Sequence, residues 1–361
     1  MAVSAVQTPT QQALADHTTL RLGGPARSFD VATTDDEVVE AVRDADGSGE
    51  RLLVLGGGSN LVVGDDGFDG RVLKIATTGR SWKQDPYGGV TVYVDFAAGE
   101  NWDDVVAWCV ENRFGGLECL SGIPGSVGAT PLQNVGAYGF EVSQLLSHVT
   151  YYDREQGKRT GAGSKDLTFG YRTSSLKNTG HVVLGVQFAT HGDGLSSPIR
   201  YPELANKLGA ELGSRVPTAD VRQAVLELRR GKGMVLDPAD HDTWSAGSFF
   251  INPILPESQL AGVLERIAEV VGAGVPVPQY PADGGVKLSA AWLIERAGFA
   301  KGHQGPGGRV SLSTKHTLAL TNRGEATTAD LLTLAGEVRD GVRERFGVTL
   351  HPEPSLVNCT L

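Results

Sequence analysis

Five glycines fall within the eighteen residues from Gly122 to Gly139, and three stand in a row at Gly56-Gly57-Gly58. A further group lies at Gly298 to Gly308. Such clusters constrain a fold strongly. Glycine weakens helices and strands, yet it lets the backbone turn sharply or approach a ligand closely. The chain has 48 glycines in 361 residues, about 13% against an average near 7%. They follow no triplet period, which excludes a collagen-like rod. Only 20% of residues are charged and apolar periodic segments recur, which argues against disorder. The clusters therefore mark backbone that faces a ligand, in a globular chain long enough for two or three domains.

Charge narrows the partners. A formal net charge of −10 suits neither nucleic acid nor an anionic membrane surface, and the run Arg229-Arg230-Gly231-Lys232 is too short to change that. No stretch of about 18 apolar residues predicts a membrane span. Met1 to Gln12 has neither a basic start nor an apolar core, so a secretory signal is not expected. Cys109, Cys119 and Cys359 are odd in number and form no CxxC pair. They read as thiols in a reducing compartment, and the expected location is the cytoplasm. Oligomeric state is not legible in the sequence.

The periodicity is mixed. Thr34 predicts a cap for a helix opening at Asp35-Asp36-Glu37 and burying Val38, Val39 and Val42. Arg51 to Val63 predicts a buried strand, the glycine turn and a second strand. Val90, Val92, Val94 and Phe96 alternate as in a half-buried strand, and Trp102, Val105, Val106, Cys109 and Val110 trace one helix face. Strands are expected over 148–153 and 181–190. Helices are expected over 218–230, over 289–297 and from Thr327 to a stop at Gly347. Val348 to Val357 reads as extended. The fold class is α+β, with boundaries near residues 80 and 235.

Gly56-Gly57-Gly58-Ser59-Asn60 can point several backbone N–H groups into one concavity suited to a pyrophosphate, although a plain glycine turn has the same composition. Gly122-Ile123-Pro124-Gly125-Ser126-Val127-Gly128 has neither GxGxxG nor GxxxxGK[ST] spacing, which disfavours Rossmann and P-loop sites. No serine sits in G-x-S-x-G, so a hydrolase elbow is not supported. With Gln133-Asn134-Val135-Gly136-Ala137-Tyr138-Gly139 the segment is too long and apolar for a plain loop. It fits a large planar ligand carrying phosphates.

These motifs resemble those of the UDP-N-acetylenolpyruvoylglucosamine reductase family. The glycine loop with its continuation, including Ala129, is similar to the family's flavin signature. Further similarities are His17-Thr18-Thr19-Leu20-Arg21-Leu22-Gly23-Gly24-Pro25-Ala26, Leu55 to Leu61, Gly170-Tyr171-Arg172-Thr173-Ser174 and Ala246-Gly247-Ser248-Phe249-Phe250-Ile251-Asn252-Pro253. Lys287 to Ile294 and His351-Pro352-Glu353 complete the set. Arg200-Tyr201-Pro202-Glu203-Leu204 resembles the tyrosine segment of the family's longer form. Thr130 departs mildly from the pattern, standing where a small apolar residue is expected.

The resemblance implies an FAD-binding module of the vanillyl-alcohol-oxidase type in two subdomains, residues 1–79 and 80–235. A substrate-binding α+β domain over 236–347 would follow, with 348–361 returning to the first subdomain. It implies FAD as cofactor, NADPH as co-substrate and a nucleotide-sugar substrate whose enolpyruvyl ether is reduced. A choice of NADPH over NADH has no motif of its own. By the same resemblance, FAD would be held by Gly56, Gly57, Gly58, Ser59, Asn60, Gly122, Ile123, Pro124, Gly125, Ser126, Gly128, Ala129, Asn134, Gly136, Ala137 and Tyr138.

Arg172 would hold the substrate carboxylate and stabilise an enolate, Ser248 would donate the proton, and Glu353, between two prolines, would assist at the carboxylate. Tyr201, Lys232, Asn252 and His316 would bind the rest of the substrate, with Arg230 an alternative to Lys232. Taken singly, each also has a plainer reading as surface ion pair, turn or structural residue. Asp237, Asp240, His241 and Asp242 are expected to form a solvated loop, with no metal. A flavin enzyme of the same fold acting on another substrate, or a catalytically silent sugar-nucleotide binder, would share part of this pattern.

Overall fold

Thr34 caps the first helix, α1 (Asp35–Ser48), as the acidic turn behind it predicts. Its hydroxyl accepts the Glu37 N–H at 3.2 Å, and the Glu37 carboxylate accepts the Thr34 N–H at 3.2 Å, a reciprocal capping box. The computed structural model describes residues 12–361. The chain packs as two units. One comprises residues 26–58 and 68–230 with residue 12; the other comprises 13–25, 59–67 and 231–361.

The first unit contains two larger sheets and two short hairpins. Ala26–Ala32 and Leu52–Leu55 run parallel to a central strand, Phe68–Ile75. Helix α1 supplies the crossover that parallel pairing needs. From Arg80 onward the pairing turns antiparallel, in the order Lys158–Gly163, Leu146–Asp153, Val182–His191, Thr91–Ala97 and Arg80–Gln84. Val92, Val94 and Phe96 are buried and alternate with half-buried Tyr93 and Asp95, so the sequence period of two marks a real inner face. Val38, Val42 and Leu73 of the parallel layer join Val94, Phe96 and Phe188 of the antiparallel one in a single core. Around it lie α2 (Trp102–Glu111), α3 (Pro202–Leu208) and α4 (Thr218–Gly231).

The second unit holds a small antiparallel sheet of Ile254–Leu255, Gly285–Leu288 and Gln279–Ala282, and a pair Val310–Leu312 with Leu320–Asn322. Helices α5 (Glu257–Val271), α6 (Ala290–Arg296) and α7 (Thr328–Phe346) accompany them. Phe249, Phe250, Leu293, Leu334, Val338 and Phe346 are buried in its core. Ser355–Val357 pairs in parallel with Leu61–Val63. Asp65 then accepts the first free N–H groups of α7, from Thr328 at 2.7 Å and Ala329 at 2.9 Å.

Three expectations change. The two strands within Arg51 to Val63 enter different sheets: Leu52–Leu55 joins the parallel sheet, whereas Leu61–Val63 takes the C-terminal strand as its partner. An apolar run reads the same whichever neighbour it finds. Helix α5 was not expected at all. Gly302 to Gly308 is a packed turn: Gly307 and Gly308 have φ of 59° and 69°, and a Cβ on Gly305 would stand 2.7 Å from Val310 Cγ2. No helix among the described residues is long and apolar enough to cross a membrane.

The cap of α7 yields a test. Thr327 and Asp330 form its capping box, and Arg309 adds a bidentate pair to Asp330 at 2.6 and 2.9 Å. Thr327→Ala should lower stability by about 1 kcal/mol in denaturant unfolding. The Arg309 guanidinium beside Asp330 holds its carboxyl well below the usual range, with Thr327 contributing. A lowered carboxyl contributes stability above its unfolded pKa and loses it as pH falls through the folded one. The stability gap between wild type and Asp330→Asn should therefore be full near pH 7 and shrink below about pH 5. A gap independent of pH would contradict the ion pair.

Candidate functional site

In the first unit the glycine clusters meet backbone to backbone. A Cβ on Gly57 would lie 2.6 Å from Gly125 Cα and 3.2 Å from Ser126 N, and one on Gly56 would collide with Ser126 Oγ. No residue with a side chain fits at Gly57 without moving the 122–128 loop. That loop wraps the start of α2. Trp102 N–H donates to Gly125 O at 3.0 Å, Trp102 Nε1 to Leu120 O at 3.1 Å, and Asn101 bridges to Ser126. Gly128 packs against Ala98, and the Thr130 hydroxyl, the mild departure noted above, is satisfied by Val127 O at 2.8 Å. Ile123 and Pro124 are half-buried, while Ala129 is exposed at the loop's far end.

The continuation forms a two-residue hairpin. Gly136–Ala137 pairs with Phe140–Glu141 across Tyr138 and Gly139, both at positive φ (52° and 77°). Burial pushes the Tyr138 phenol up to about 12, so it stays neutral. Its ring meets Tyr201 edge-on, centroids 5.6 Å apart, where Tyr201 precedes Pro202 at the start of α3. A second hairpin, Phe169–Gly170 with Thr173–Ser174, carries Arg172 in its turn at φ 58°. Bulky residues seldom adopt that conformation, and such strain concentrates where a side chain must be aimed. Arg172 Nη2 donates to Gly136 O at 3.3 Å.

Asn134 stitches the two hairpins together. Its amide donates to Glu141 Oε2 at 2.7 Å and to Gly170 O at 3.2 Å, and its oxygen accepts the Ser143 N–H at 3.2 Å. Expected as a cofactor ligand, it uses its amide to fix the Arg172 turn. Sequence reasoning missed Arg229, Arg222 and Asp103. Arg229 is half-buried and donates to Gly122 O at 3.3 Å; burial pushes its pKa down to about 10, which leaves it cationic at neutral pH. Thr218, Val221, Arg222, Val225 and Arg229 share one helical stripe of α4, so charge within an apolar stripe was the available signal.

The second unit gathers another group. Ile251 N–H donates to His351 O at 3.1 Å and Glu353 N–H to Phe249 O at 2.8 Å. The pairing sets Glu353 across from Phe249, one residue from Ser248. Gly247 precedes Ser248 at φ 73°, while Phe249 and Phe250 are buried behind it. Asn60 donates to Glu353 O at 3.4 Å, and its own carbonyl accepts the Ser355 N–H. Ser59, beside it, is half-buried. Asn252 Oδ1 accepts the Ala290 N–H at 2.9 Å at the start of α6.

Lys232 is half-buried in this unit, whereas Arg230 is exposed near the end of α4 in the first unit. A Cβ on Gly233 would stand 3.5 Å from Lys315 Cδ, so the chain after Lys232 runs beside Lys315. The acidic cluster is a solvated loop only in part: Asp237 is exposed, whereas Asp240 and Asp242 are drawn inward. Asp242 is 5% exposed and accepts from Arg323 Nη1 at 2.9 Å and Thr314 N–H at 3.0 Å, while Asp240 pairs with Lys315. These carboxylates are held by cations and backbone donors. Among the described residues, no group of three His, Cys, Asp or Glu could hold a metal ion.

A glycine-rich cradle backed by the half-buried Arg229 guanidinium fits a phosphate-bearing planar cofactor. Comparison with known proteins agrees. A profile described as FAD binding domain matches residues 27–159, and one described as UDP-N-acetylenolpyruvoylglucosamine reductase, C-terminal domain, matches 237–357. The UDP-N-acetylenolpyruvoylglucosamine reductase of Saccharopolyspora erythraea is 63% identical over 97% of this chain and 95% of its own length. That of Mycolicibacterium smegmatis is 51% identical over 99% and 98%. The crystal structure of the reductase from Thermus caldophilus shares the fold, with a TM-score of 0.63, 24% identity, and coverage of 97% of this chain and 99% of that one.

The Gly57 contact can be tested directly. Gly57→Ala introduces a methyl group against Gly125, an overpacking that costs about 1–3 kcal/mol. Flavin should then dissociate roughly 5- to 150-fold more readily, read from fluorescence of released cofactor. Unchanged retention would mean that the two loops do not cooperate in holding it.

Proposed function

The chain belongs to the UDP-N-acetylenolpyruvoylglucosamine reductase family, and we propose how its own residues carry that family's reaction. It is an FAD-dependent oxidoreductase of peptidoglycan precursor synthesis, reducing an enolpyruvyl ether of a nucleotide sugar to the lactyl ether, UDP-N-acetylmuramate. The observation that carries this is the 63% identity extending over 97% of the chain.

Gly56 to Gly58 and Gly122 to Gly128 would line FAD with backbone, Ser59 and Asn60 would add polar groups, and Gly136 to Tyr138 would close one edge. Arg229 would present a fixed positive charge to that cradle. Bound there, FAD supplies the hydride, drawn from NADPH.

Hydride addition to the terminal alkene carbon leaves an electron pair on the carbon next to the carboxylate. Arg172 holds that carboxylate by its guanidinium fork and stabilises the enolate. The strained turn, fixed by Asn134, keeps the fork from swinging away. Ser248 gives its Oγ proton to the carbanionic carbon, forming the new C–H bond. Phe249 and Phe250 exclude water behind it, and Glu353 steadies the carboxylate end. Tyr201 covers the substrate, while Lys232, Asn252 and His316 bind its diphosphate and sugar. A net charge of −10 supports a small-molecule partner rather than nucleic acid or membrane, and three free thiols support a cytoplasmic setting.

Stopped-flow half-reactions test the assignment. Ser248→Ala should leave flavin reduction by NADPH intact and slow reoxidation by UDP-N-acetylglucosamine enolpyruvate by about 10²- to 10⁴-fold. Equal slowing of both halves would remove Ser248 as the proton donor. Absence of NADPH oxidation dependent on that substrate in the wild type would end the functional reading itself.

A further inference from the structure

Gly122 opens the loop assigned above to FAD, and it is gripped at both ends. Its N–H donates to Asp103 Oδ1 at 2.6 Å, and its carbonyl accepts from Arg229 Nη2 at 3.3 Å. Asp103 lies in the first turn of α2, the helix around which the loop wraps. Its two oxygens also take a bidentate fork from Arg222, at 2.6 and 3.0 Å. Arg222 and Arg229 are seven residues apart on α4, two turns along one face. The carboxylate of α2, the glycine and the two guanidinium groups of α4 thus form one connected cluster.

The cluster is partly buried: the side chains of Arg222 and Asp103 are 18% and 31% exposed. Burial alone would raise the Asp103 carboxyl, but hydrogen bonds from Arg222 and Gly122, and the charges of Arg222 and Arg229, leave it below its usual value. It is ionised at neutral pH. Gly122 sits at φ 70° and has no side chain with which to hold itself, so its orientation depends on these partners.

We propose that Asp103 is a positioning residue for the cofactor: paired with Arg222, it fixes Gly122 and so ties the FAD loop to helix α4. Asp103 does not touch the reacting atoms. It acts through the orientation of the 122–128 backbone, and α4 follows the segment that carries Tyr201. The proposal rests on the reading of this loop as the FAD cradle.

The test uses the full-length protein, stripped of flavin and titrated with FAD. Asp103→Ala should raise the FAD dissociation constant at least about tenfold and change the visible circular dichroism of the bound flavin, a signature that a stability role alone would leave alone. Asp103→Asn keeps an acceptor for Gly122 but loses the charge, and should fall between Ala and wild type. Arg222→Gln should loosen FAD similarly, and the double variant Asp103→Asn/Arg222→Gln should be no worse than the poorer single one.

Wild-type affinity and an unchanged flavin spectrum in Asp103→Ala would overturn the proposal, as would fully additive effects in the double variant. Should Asp103→Ala not fold, the Asn and Gln variants decide by the same two readouts. Gly57→Ala separates the two levels. If it releases FAD while Asp103→Ala retains it, the clamp alone is wrong. If neither affects FAD, the reading of the loop is wrong as well.

Discussion

The approach of Gly57 to Gly125 sets the terms for the first unit. Two peptide segments touch with no side chain between them. The same bareness removes the packing that normally fixes a chain segment. Glycines lose more conformational freedom on ordering than any other residue. Order must therefore be imposed from outside, and the rigid neighbours do so. Helix α2 contributes Trp102 and Asp103, helix α4 contributes Arg229, and Ala98 presses on Gly128.

Much of this was legible in the chain. The caps at Thr34 and Thr327 were readable because a side-chain oxygen three residues before an acid has few other uses. The strand Thr91–Ala97 was readable because one face is buried and the other is not. The α+β class followed from the mixed periodicity, and the close approach of the glycine loops from clusters whose glycines the backbone geometry requires. Less visible was anything that depended on a distant partner. Leu52–Leu55 and Leu61–Val63 looked like one strand-turn-strand element, yet the second strand finds its neighbour some 290 residues later, a pairing that no local pattern encodes.

The site was legible unevenly for the same reason. Ser248 and Glu353 drew attention only through the family resemblance; their flanking residues, Gly247 with the phenylalanine pair and the two prolines, also suit a plain turn and an edge strand. Asn134 also drew attention by the resemblance, but its bonds to Glu141 and Gly170 were not foreseen, since an amide's partners cannot be read from its neighbours in sequence. Asp103 and Arg222 carried no motif. Helix α5 passed unseen because only Ile267 is fully buried on it, so its apolar stripe serves a shallow face. The acidic cluster around Asp242 looked solvent-facing because four polar residues beside a proline usually are; Arg323 and Thr314 draw it inward.

Arg172 shows how strain and support combine. An arginine at φ 58° carries a backbone cost of about 1–3 kcal/mol, which would relax if the turn were free. It is not free. Asn134 holds the strand before the turn at Gly170 O, Lys177 Nζ donates to the Arg172 carbonyl at 3.3 Å, and Gly136 O accepts from the guanidinium itself. Each contact constrains a different part of the residue: its approach, its backbone and its side chain. A guanidinium held this way has lost most of its conformational freedom before any carboxylate arrives. In the proposed reaction, binding would then cost little further entropy, with the charge already placed beside the carboxylate. The glycine loop and the arginine turn thus follow one rule from opposite ends. The first is too free and is held by its neighbours; the second is too strained to persist without them.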